Sequence, residues 1–537
     1  MTIIIIWSHE KSNKKTGLLS RFSAVFDGIL CDYKTRFRVE HSDSKGSYAV
    51  SENIRRMKPR GTMVKKIKGH YYVYRMQHIK DEKTGKWKIK SLGIIGKIVE
   101  GRGFIQNTDD EPTVCEYGTY RLFEECAADI RTLFFKAFGN GDDAVRIWDC
   151  GMIYAVNGFR PISLMSHFFQ TSCYSLAHPD IKVGETAIGN MLEKLGRRDV
   201  EAKAFQKLLT AKTTEVAIDG HVIPRYSALD GMTEFGYKYK KLGCEQVNLL
   251  TAFDTVNCRP VAMKMFNGSM NDKASVKELI DDVLIEKCLY LMDRGFHCPE
   301  MKEKIAQVQG TYIMPVCSHM NSYKEAMKRG PGRLKTFLYK HRDGIHMERD
   351  KVEYRVSSES SGTRVIYYRN LQQALEESSS YSARIEEKVP GYSEEGLEKA
   401  EPSFGVIVLE TTHPGTPEEI YSLYKRRWCI ETYFDYLKHQ MDFNALGVQD
   451  WAKLQGLAFM MMLATIIRGA CQLRLKGSDL KEIYMPEVLL RSSAVKLVKH
   501  SDKWFIENKT KKARELFEAL NVALGTEFDP KSAFSCT

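Results

Sequence analysis

The sequence lacks several features by which common classes of protein are recognised. Its 13 cysteines are scattered, odd in number and without a CxxC pair, which indicates neither a disulfide framework nor a redox motif. No group of histidines and cysteines has the spacing of a zinc site. The glycine-rich segments 139–143 and 329–333 do not have the P-loop pattern, so nucleotide binding is not indicated. The cysteine usage is typical of a reducing compartment.

Long hydrophobic runs are also missing. The longest apolar run extends from Gly456 to Ile467 and is closed by Arg468, which is shorter than the ~20 residues that span a bilayer. The run of isoleucines from Ile3 to Ile6 is too short for the hydrophobic region of a secretory signal. We therefore expect a buried helix at the longer run, and a cytoplasmic, nucleoid-associated protein.

Positive charge is present in excess, and it is unevenly distributed. The formal net charge is +12, and residues 1–110 contain 23 Lys/Arg against 11 Asp/Glu. The whole excess therefore belongs to the N-terminal fifth of the chain. Such a distribution is typical of a DNA-binding module attached to an enzyme. The alternative is a solvated basic face that binds nothing.

The 537 residues are sufficient for two to four domains, and 43% hydrophobic with 28% charged residues is ordinary for a globular protein. The patterns predict an unassigned extension at 1–45, a basic β module at 46–110, a helical region at 111–210, an α/β core formed by 211–310 with 411–475, a β-rich insertion at 311–410, and a helical tail at 476–537. Lys65, Lys66 and Lys68 of the basic module are candidate DNA contacts, because basic residues alternate there with aromatic ones.

The helical region ends in a pattern of helix, turn and helix. Apolar periodicity covers Thr186 to Leu195 and then Asp199 to Leu209, with Gly196 between them. Two interpretations are open, a helix-turn-helix reader of DNA ends or two helices that simply pack together.

The most informative segment holds Tyr424, Arg427, Glu431 and Lys438, with the spacing Y-x2-R-x3-E-x6-K. Pro417 and the two acids after it are typical of a helix start. At roughly 100° per residue the four positions fall at about 0°, −60°, −20° and −40°, which is one narrow stripe of a helix. A carboxylate between two cations and a phenol suits a face that meets a metal ion and phosphates.

Two aspartates further upstream are candidate partners for Glu431. Asp219 and Asp293 each terminate a short apolar run and are followed closely by glycine, as at the end of a buried strand. Three carboxylates brought together in this way suit Mg²⁺. Asp254 is the rival of Asp219, and Asp435, off the stripe, is the rival of Glu431.

Ordinary structural roles compete with this interpretation. An aspartate at a strand end is commonly a cap or turn residue, and Glu431 could simply pair with Arg427 at i and i+4. Trp428 beside the stripe either stacks on a displaced base or belongs to the core. His221 either lines the site or lies at the surface.

Together these motifs resemble the bacterial insertion-sequence DDE transposases with the YREK signature, the IS-four-type family. The helix of Tyr424 to Lys438 is similar to their signature, and Asp293-Arg294-Gly295-Phe296 looks like the segment around their second catalytic aspartate. The stretch 266–272 is similar to the loop between their two aspartates. The resemblance extends from about Ile188 to Ile467.

The resemblance implies an α/β fold with a ribonuclease H-like catalytic core, interrupted by a mostly β insertion. It implies that Asp219, Asp293 and Glu431 are catalytic and bind two Mg²⁺ ions, with Mn²⁺ as a substitute. Tyr424, Arg427, Lys438 and, by its position, Trp428 would contact DNA.

The implied function is metal-dependent cleavage and strand transfer of insertion-sequence DNA by cut and paste, often through a hairpin. The implied partners are terminal inverted repeats and target double-stranded DNA, bound by a homodimer. The alternatives are a catalytically inactive or domesticated DNA-binding relative, and a non-mobile nuclease of the same fold.

Overall fold

The structure, a computed structural model, divides into a smaller unit within Trp7–Pro112 and a larger unit from Thr113 onward. It describes residues 50–67, 69–80, 87–100, 103–106, 113–197, 199–225, 245–267, 276, 278–281, 285–328, 334–343, 346–360, 362–439, 441 and 450–534. The predicted extension at 1–45, Lys68, and all but the start of the segment 266–272 lie outside these residues.

The smaller unit is a four-stranded antiparallel sheet with one short helix. Its elements are α1 (Glu52–Arg56), β1 (Thr62–Ile67), β2 (His70–Lys80), β3 (Trp87–Val99) and β4 (Gly103–Gln106), and the strands lie in chain order. Ile54 of the helix packs with Val73 and Ile98 in a small core on one face of the sheet. The predicted strands around Tyr71–Tyr74 and Trp87–Lys90 are present.

The larger unit begins with a helical region, as predicted. Its elements are β5 (Val114–Glu116), α2 (Gly118–Cys126), α3 (Ala128–Phe138), α4 (Asp142–Asn157), a 3-10 turn (Ile162–Leu164), α5 (Met165–Thr171), α6 (Tyr174–Ala177), α7 (Glu185–Arg197) and α8 (Val200–Thr210). The last two are the predicted helix pair.

Both helices of that pair are built into the core, which favours the packed-pair interpretation over a DNA reader. Leu192 and Phe205 are fully buried. A Cβ atom added at Gly196 would lie 1.8 Å from the carbonyl oxygen of Ala452, and one at Gly456 would lie 2.1 Å from that of Leu192. Glycine at both positions therefore allows α7 to approach the long helix α15 (Trp451–Lys476) backbone to backbone.

A nine-stranded mixed sheet forms the centre of the larger unit. Its strands are β6 (Glu215–Arg225), β7 (Glu245–Asp254), β8 (Arg259–Asn267), β9 (Leu289–Met292), β10 (Thr311–Pro315), β11 (Lys335–Asp343), β12 (His346–Ser360), β13 (Thr363–Asn370) and β14 (Val406–Thr411). Their order is β11-β12-β13-β14-β10-β9-β6-β7-β8. β9 is parallel to β6 and to β10, and the other neighbouring strands are antiparallel. β7 and β8 form an antiparallel hairpin between the two candidate aspartates in the chain.

Helices cover this sheet. The described helices around it are α9 (Pro299–Gln307), α10 (Asn321–Lys328), α11 (Leu371–Glu386), α12 (Glu394–Ala400), a 3-10 turn (Glu401–Ser403), α13 (Pro417–Arg426), α14 (Trp428–His439) and α15. Alternate residues of β6 belong to different cores: Ala217 packs with α13 to α15, whereas Ile218 packs with α9. Side chains that alternate in this way point to opposite faces of the sheet.

The region 311–410 was predicted as a β-rich insertion. It is rich in strands, but β10 to β14 continue the same sheet as β6 to β9. Pairing between strands far apart in sequence is not visible in a periodicity pattern, and for this reason the common sheet was not predicted.

The C-terminal tail was predicted to be helical, and this is wrong in part. It contains α16 (Met485–Ser493) and α17 (Lys511–Ala519), but also β15 (Lys496–His500), β16 (Lys503–Glu507) and β17 (Glu527–Phe528). These strands form a sheet of order β17-β16-β15-β5. The hairpin of β15 and β16 buries Leu497, Trp504 and Ile506.

Among the described residues, α15 is the one helix long and apolar enough to cross a membrane. In the structure 83% of its most apolar 18-residue window is buried. Met460, Met461 and Leu463 are fully buried, and the helix packs against α4, α7 and β8. It occupies the core position that the apolar run predicted.

Candidate active site

Asp219 and Asp293 lie side by side on neighbouring parallel strands. Ile218 of β6 pairs with Met292 of β9, so the next residue on each strand is an aspartate at the same level. Both aspartates follow the alternation of Ala217 and Leu291, whose side chains face the core that contains α13 to α15.

One detail of the prediction is wrong, because β6 does not end at Asp219. The strand continues to Arg225, since its antiparallel partner β7 remains paired with it from Thr251 back to Glu245. β9, in contrast, stops at Met292, and Asp293 immediately precedes a 3-10 turn (Arg294–Phe296). Asp219 therefore projects from within a strand, and Asp293 from a strand end.

The rival aspartate, Asp254, has a structural role. It is fully buried and pairs with Val216, toward the other end of β6 from Asp219. It accepts hydrogen bonds from the backbone N–H groups of Val256 and Asn257, at 3.0 and 2.8 Å, and from the Thr213 hydroxyl at 2.8 Å. These bonds hold the turn between β7 and β8.

The signature segment forms two consecutive helices where we predicted one. α13 begins at Pro417 with a capping box formed by Thr416 and Glu419, as the sequence indicated. It ends at Arg426, and α14 begins at Trp428. The backbone of Arg427 between them is still helical, with φ −50° and ψ −30°. The helix is therefore interrupted at Arg427 by a single residue whose backbone angles remain helical.

Aromatic contacts fix α14 on the sheet. The ring of Phe434 stacks on His221 of β6 at 5.3 Å, and Tyr433 packs on Phe253 of β7 at 5.1 Å. The Tyr433 hydroxyl also lies 3.1 Å from the Thr465 hydroxyl of α15. Glu431, on the same helix, is thereby held over the strand that carries Asp219. His221, which the sequence left open, lies two residues beyond Asp219 on the same strand face.

Arg427 connects two of the three predicted carboxylates. Its Nη1 lies 3.4 Å from Oδ2 of Asp219, and its Nη2 donates to Oε1 of Glu431. Its side chain is only 12% exposed, against 22% for Asp219 and 32% for Glu431. The pairing of Arg427 with Glu431 at i and i+4 is therefore real, but it extends across to the sheet.

Three negatively charged carboxylates lie close together in the site and shift the pKa values of its groups. Burial raises the pKa of Asp219 to about 6, the Gly220 N–H and Arg427 lower it, and the nearby Asp293 and Glu431 raise it again. Burial alone would lower the pKa of Arg427, but Tyr424 and the three acids outweigh burial and raise it. The three carboxylates thus repel one another, and Arg427 remains charged between them.

The other predicted DNA contacts differ in exposure. Tyr424 is buried, and burial raises the pKa of its phenol to about 12. The guanidinium carbon of Arg427 lies 5.8 Å from the centre of its ring. Lys438 is half-buried near the end of α14. Trp428 is 65% exposed, so its interpretation as a core residue is wrong. Asp435, the rival of Glu431, is exposed on α14.

Lys65 and Lys66 of the smaller unit are both exposed, but they belong to opposite faces of its sheet. Lys65 is in one row across the strands with Tyr72, Lys97 and Ile105. Lys66 is in the next row with Tyr71, whose ring its ammonium overlies at 5.3 Å. Tyr71 belongs to the side of the small core.

The chemistry of the larger site suits a divalent cation. Three partly accessible carboxylates offer the oxygen ligands that Mg²⁺ prefers, and a cation would offset the repulsion that raises the pKa of Asp219. Within the described part of the chain, however, no three Asp, Glu, His or Cys side chains converge closely enough to hold a metal ion. Arg427 lies between two of the candidate ligands instead.

Two ion-pair groups of the central sheet were missed by the sequence analysis. Arg426, next to Arg427, pairs with Glu215 at the start of β6 at 2.9 Å. Glu410 of β14 is bound by Tyr312 and Lys302 on other elements. The only signal in the sequence was the run of three basic residues at 425–427, and none marked Glu410, whose partners lie far away along the chain.

Comparison with known protein families identifies the domain in which the site lies. Residues 210–467, just under half of the chain, match the family described as "Transposase DDE domain". No curated protein sequence matches the chain. The match supports a DDE transposase function. DDE transposases are enzymes that cleave DNA and transfer strands, generally with divalent metal ions.

Among solved structures, the chain is similar to a piggyBac transposase, in a cryo-EM structure of its synaptic complex with hairpin DNA. The TM-score is 0.36 and the sequence identity 9%, and the alignment covers 70% of this chain and 78% of that one.

Proposed function

We propose that this protein is an insertion-sequence transposase of the YREK type, which cuts and joins DNA at Asp219, Asp293 and Glu431. The observation that carries the proposal is the alignment of Asp219 and Asp293 on adjacent parallel strands, with Glu431 tied to the first of them through Arg427. All of these residues lie in the segment that matches the DDE domain.

The topology around the site supports a ribonuclease H-like core. The five strands β6 to β10 lie in the order β8-β7-β6-β9-β10. The first three form an antiparallel meander, and the other two are parallel to β6 and β9 in turn. The acids at the same level on two neighbouring strands, Asp219 and Asp293, are the ones that the sequence resemblance implies to be catalytic. The region 311–410 then corresponds to the inserted β-rich segment.

The roles of the side chains follow from their positions. Asp219, Asp293 and Glu431 would hold two Mg²⁺ ions, for which Mn²⁺ could substitute. Such ions supply Lewis-acid stabilisation of the phosphate and of the leaving oxygen. Arg427 and Lys438 carry positive charge to the phosphates of the bound DNA end, and Tyr424, buried against Arg427, positions that guanidinium. Trp428 is exposed enough to stack on an unpaired base.

Transposition requires two ends to be brought together, and a homodimer on the terminal repeats and target DNA is part of the proposal. The excised element would move by cut and paste with a hairpin intermediate, in the cytoplasm. We assign the initial contact with the DNA backbone to the smaller unit. Within this unit we assign it to the face of the sheet opposite the small core of Ile54, Val73 and Ile98, which we call the open face. Lys65, Tyr72 and Lys97 form a row there that alternates basic and aromatic residues.

The direct test is Mg²⁺- or Mn²⁺-dependent cleavage of a duplex carrying the inverted repeats that flank the gene. Wild type is compared with Glu431→Gln and with Asp435→Asn, an exposed carboxylate on the same helix. We expect cleavage at the repeat end by wild type and Asp435→Asn but not by Glu431→Gln. Binding without cleavage by all three proteins would favour an inactive DNA-binding relative. Cleavage without any need for repeats would favour a non-mobile nuclease, and cleavage by Glu431→Gln would contradict the assignment of that carboxylate.

The assignment of the open face is tested separately with Lys65→Gln, and with Lys66→Gln as the matched control. Loss of one phosphate contact should weaken DNA binding by a few-fold and reduce the slope of log affinity against log salt by about 1. Fluorescence anisotropy over a salt series measures both quantities. An equal effect of the two substitutions would contradict the assignment to one face.

A further inference from the structure

Arg427 contacts Asp219 and Glu431, two proposed catalytic carboxylates, and this contact is not needed when they act in cleavage. Its guanidinium joins Oδ2 of Asp219 on β6 to Oε1 of Glu431 on α14. The other oxygen of Asp219, Oδ1, accepts a hydrogen bond from the Gly220 N–H at 2.8 Å. Both oxygens of Asp219 are therefore engaged by donors that belong to the protein.

A guanidinium and a metal ion at the same carboxylates compete, because two cations at contact distance repel each other. The carboxylates keep further lone pairs, so the competition is mainly one of charge. The enclosure of Arg427 strengthens it, because its side chain is only 12% exposed and water screens such a pair weakly. A divalent cation that binds Asp219 and Glu431 together therefore binds against this repulsion unless the guanidinium turns away.

The neighbouring arginine does not have this effect. Arg426 makes an equivalent bond to an acid on β6, but the acid is Glu215, four residues before Asp219. Glu215 also accepts from the Thr255 hydroxyl, and the Arg426 side chain is 50% exposed. Two adjacent arginines thus each pair with one acid of the same strand, and only Arg427 pairs with proposed metal ligands.

We propose that Arg427 is an internal counter-ion that keeps the catalytic carboxylates closed to metal until DNA arrives, so that metal loading and DNA binding are coupled. A DNA phosphate offers the guanidinium a stronger, bidentate partner. When Arg427 turns to the phosphate, Asp219 and Glu431 are released to bind the ions. This inference rests on the proposed function, since it takes Asp219 and Glu431 as metal ligands and DNA as the substrate.

The first experiment measures Mn²⁺ binding to the full-length protein without DNA, by calorimetry and by the electron paramagnetic resonance signal of free Mn²⁺. Arg427→Gln should bind Mn²⁺ on the order of tenfold more tightly than wild type, because the ion no longer has to displace a charged hydrogen-bond donor. Arg426→Gln removes the same charge one residue away and should change the affinity less than about twofold. Arg427→Lys retains the charge but not the bidentate guanidinium, and its Mn²⁺ affinity should lie between those of wild type and Arg427→Gln. This variant keeps the test informative if the glutamine variant folds poorly.

The outcomes separate this proposal from the proposed function. Equal or weaker Mn²⁺ binding by Arg427→Gln would show that Arg427 organises the carboxylates instead of blocking them, and would overturn the proposal. Equal tightening by Arg426→Gln would reduce the effect to general electrostatics and also overturn it. If Glu431→Gln and Asp219→Asn, each introduced into Arg427→Gln, leave its tighter Mn²⁺ binding unchanged, the metal site of the proposed function is itself wrong, and the proposal fails with it.

The coupling to DNA has its own measurement, because linkage requires each ligand to change the affinity for the other by the same factor. The affinity for a labelled repeat duplex is measured by anisotropy with and without Mn²⁺. The gain from Mn²⁺ should be several-fold larger in wild type and Arg426→Gln than in Arg427→Gln. A gain that is equal in all three proteins would overturn the coupling.

Discussion

Two acidic residues of the central sheet, Asp219 on β6 and Glu410 on β14, have carboxylates with very different surroundings and opposite pKa shifts. Glu410 is buried and accepts from the Tyr312 hydroxyl at 2.6 Å, with the Lys302 ammonium at 2.5 Å and His297 Nε2 at 3.2 Å. Burial alone would raise the pKa of Glu410, but these three partners outweigh it and lower the pKa to about 2.

Asp219 is shifted in the opposite direction. Its burial is incompletely offset by the Gly220 N–H and Arg427, and Asp293 and Glu431 add negative charge, so that its pKa rises to about 6. Glu410 is held by three donors, whereas Asp219 has two donors and also two other acids nearby. A carboxylate that only stabilises a fold is expected to resemble Glu410, and one that is kept for an added cation is expected to resemble Asp219.

The largest expected difference between Asp219 and Glu410 is in their effect on the rate of DNA cleavage. Asp219→Asn removes a proposed metal ligand and should reduce DNA cleavage on the order of 10³-fold. Glu410→Gln should leave the cleavage rate of the folded protein nearly unchanged, since its group lies on the opposite face of the sheet. Both rates are measured on the repeat duplex at saturating Mg²⁺. Comparable losses in the two variants would mean that Glu410 also serves the reaction.

The second difference concerns stability, and there the signs should be opposite. Glu410→Gln leaves Lys302 and His297 without their anion and should lower the free energy of unfolding by about 2–3 kcal/mol. Asp219→Asn at pH 7 removes a charge that the folded state disfavours and should raise the free energy of unfolding by about 1–2 kcal/mol. Urea unfolding followed by circular dichroism measures both. Destabilisation by Asp219→Asn would argue that Arg427 more than offsets the repulsion.

These two carboxylates also show what could be predicted from sequence. Asp219, Asp293 and Glu431 were identified because each stands in a local pattern, an apolar run that ends in an acid or a helix stripe. That Asp219 and Asp293 lie near each other was expected, because both were candidate partners of Glu431 and three carboxylates together suit Mg²⁺. The continuation of β6 to Arg225 was not, because it depends on pairing with β7 across residues 226–244.

Glu410 could not be identified from sequence, since Tyr312, Lys302 and His297 come from other elements about a hundred positions earlier. The interruption of the helix at Arg427 was not predicted either, because no proline or glycine marks it. The exposure of Trp428 was missed for a similar reason: periodicity places a residue on one face of a helix but does not tell which neighbouring elements cover that face.

The third prediction uses the pH dependence of stability to distinguish Asp219 from Glu410. Burial and the neighbouring acids raise the pKa of Asp219 to about 6 from its usual 3.8, so the folded state binds a proton more readily, and stability should rise as pH falls from about 6 to about 4. The pKa of Glu410 is lowered to about 2 from 4.5, so its contribution is complete above pH 4.5 and is lost as pH falls toward 2.

In a pH series of unfolding measurements, the advantage of Asp219→Asn over wild type should therefore disappear near pH 4. The deficit of Glu410→Gln should persist there and shrink only at lower pH. Each variant is compared with wild type at the same pH, which cancels the other buried acids such as Asp149, whose pKa burial also raises to about 6. Parallel curves for the two variants would contradict the opposite shifts.

The smallest expected effect tests whether Glu410 depends on one partner or on the whole group. Tyr312→Phe removes one of the three donors and leaves Lys302 and His297 in place. Because a hydrogen bond to a charged group contributes modestly when other donors remain, the free energy of unfolding should fall by about 1 kcal/mol, with DNA cleavage unchanged. A loss as large as that of Glu410→Gln would show that the Tyr312 hydroxyl holds the group together. A loss within experimental error would show that Lys302 and His297 suffice to hold the Glu410 carboxylate, and that the Tyr312 hydroxyl is not what distinguishes Glu410 from Asp219.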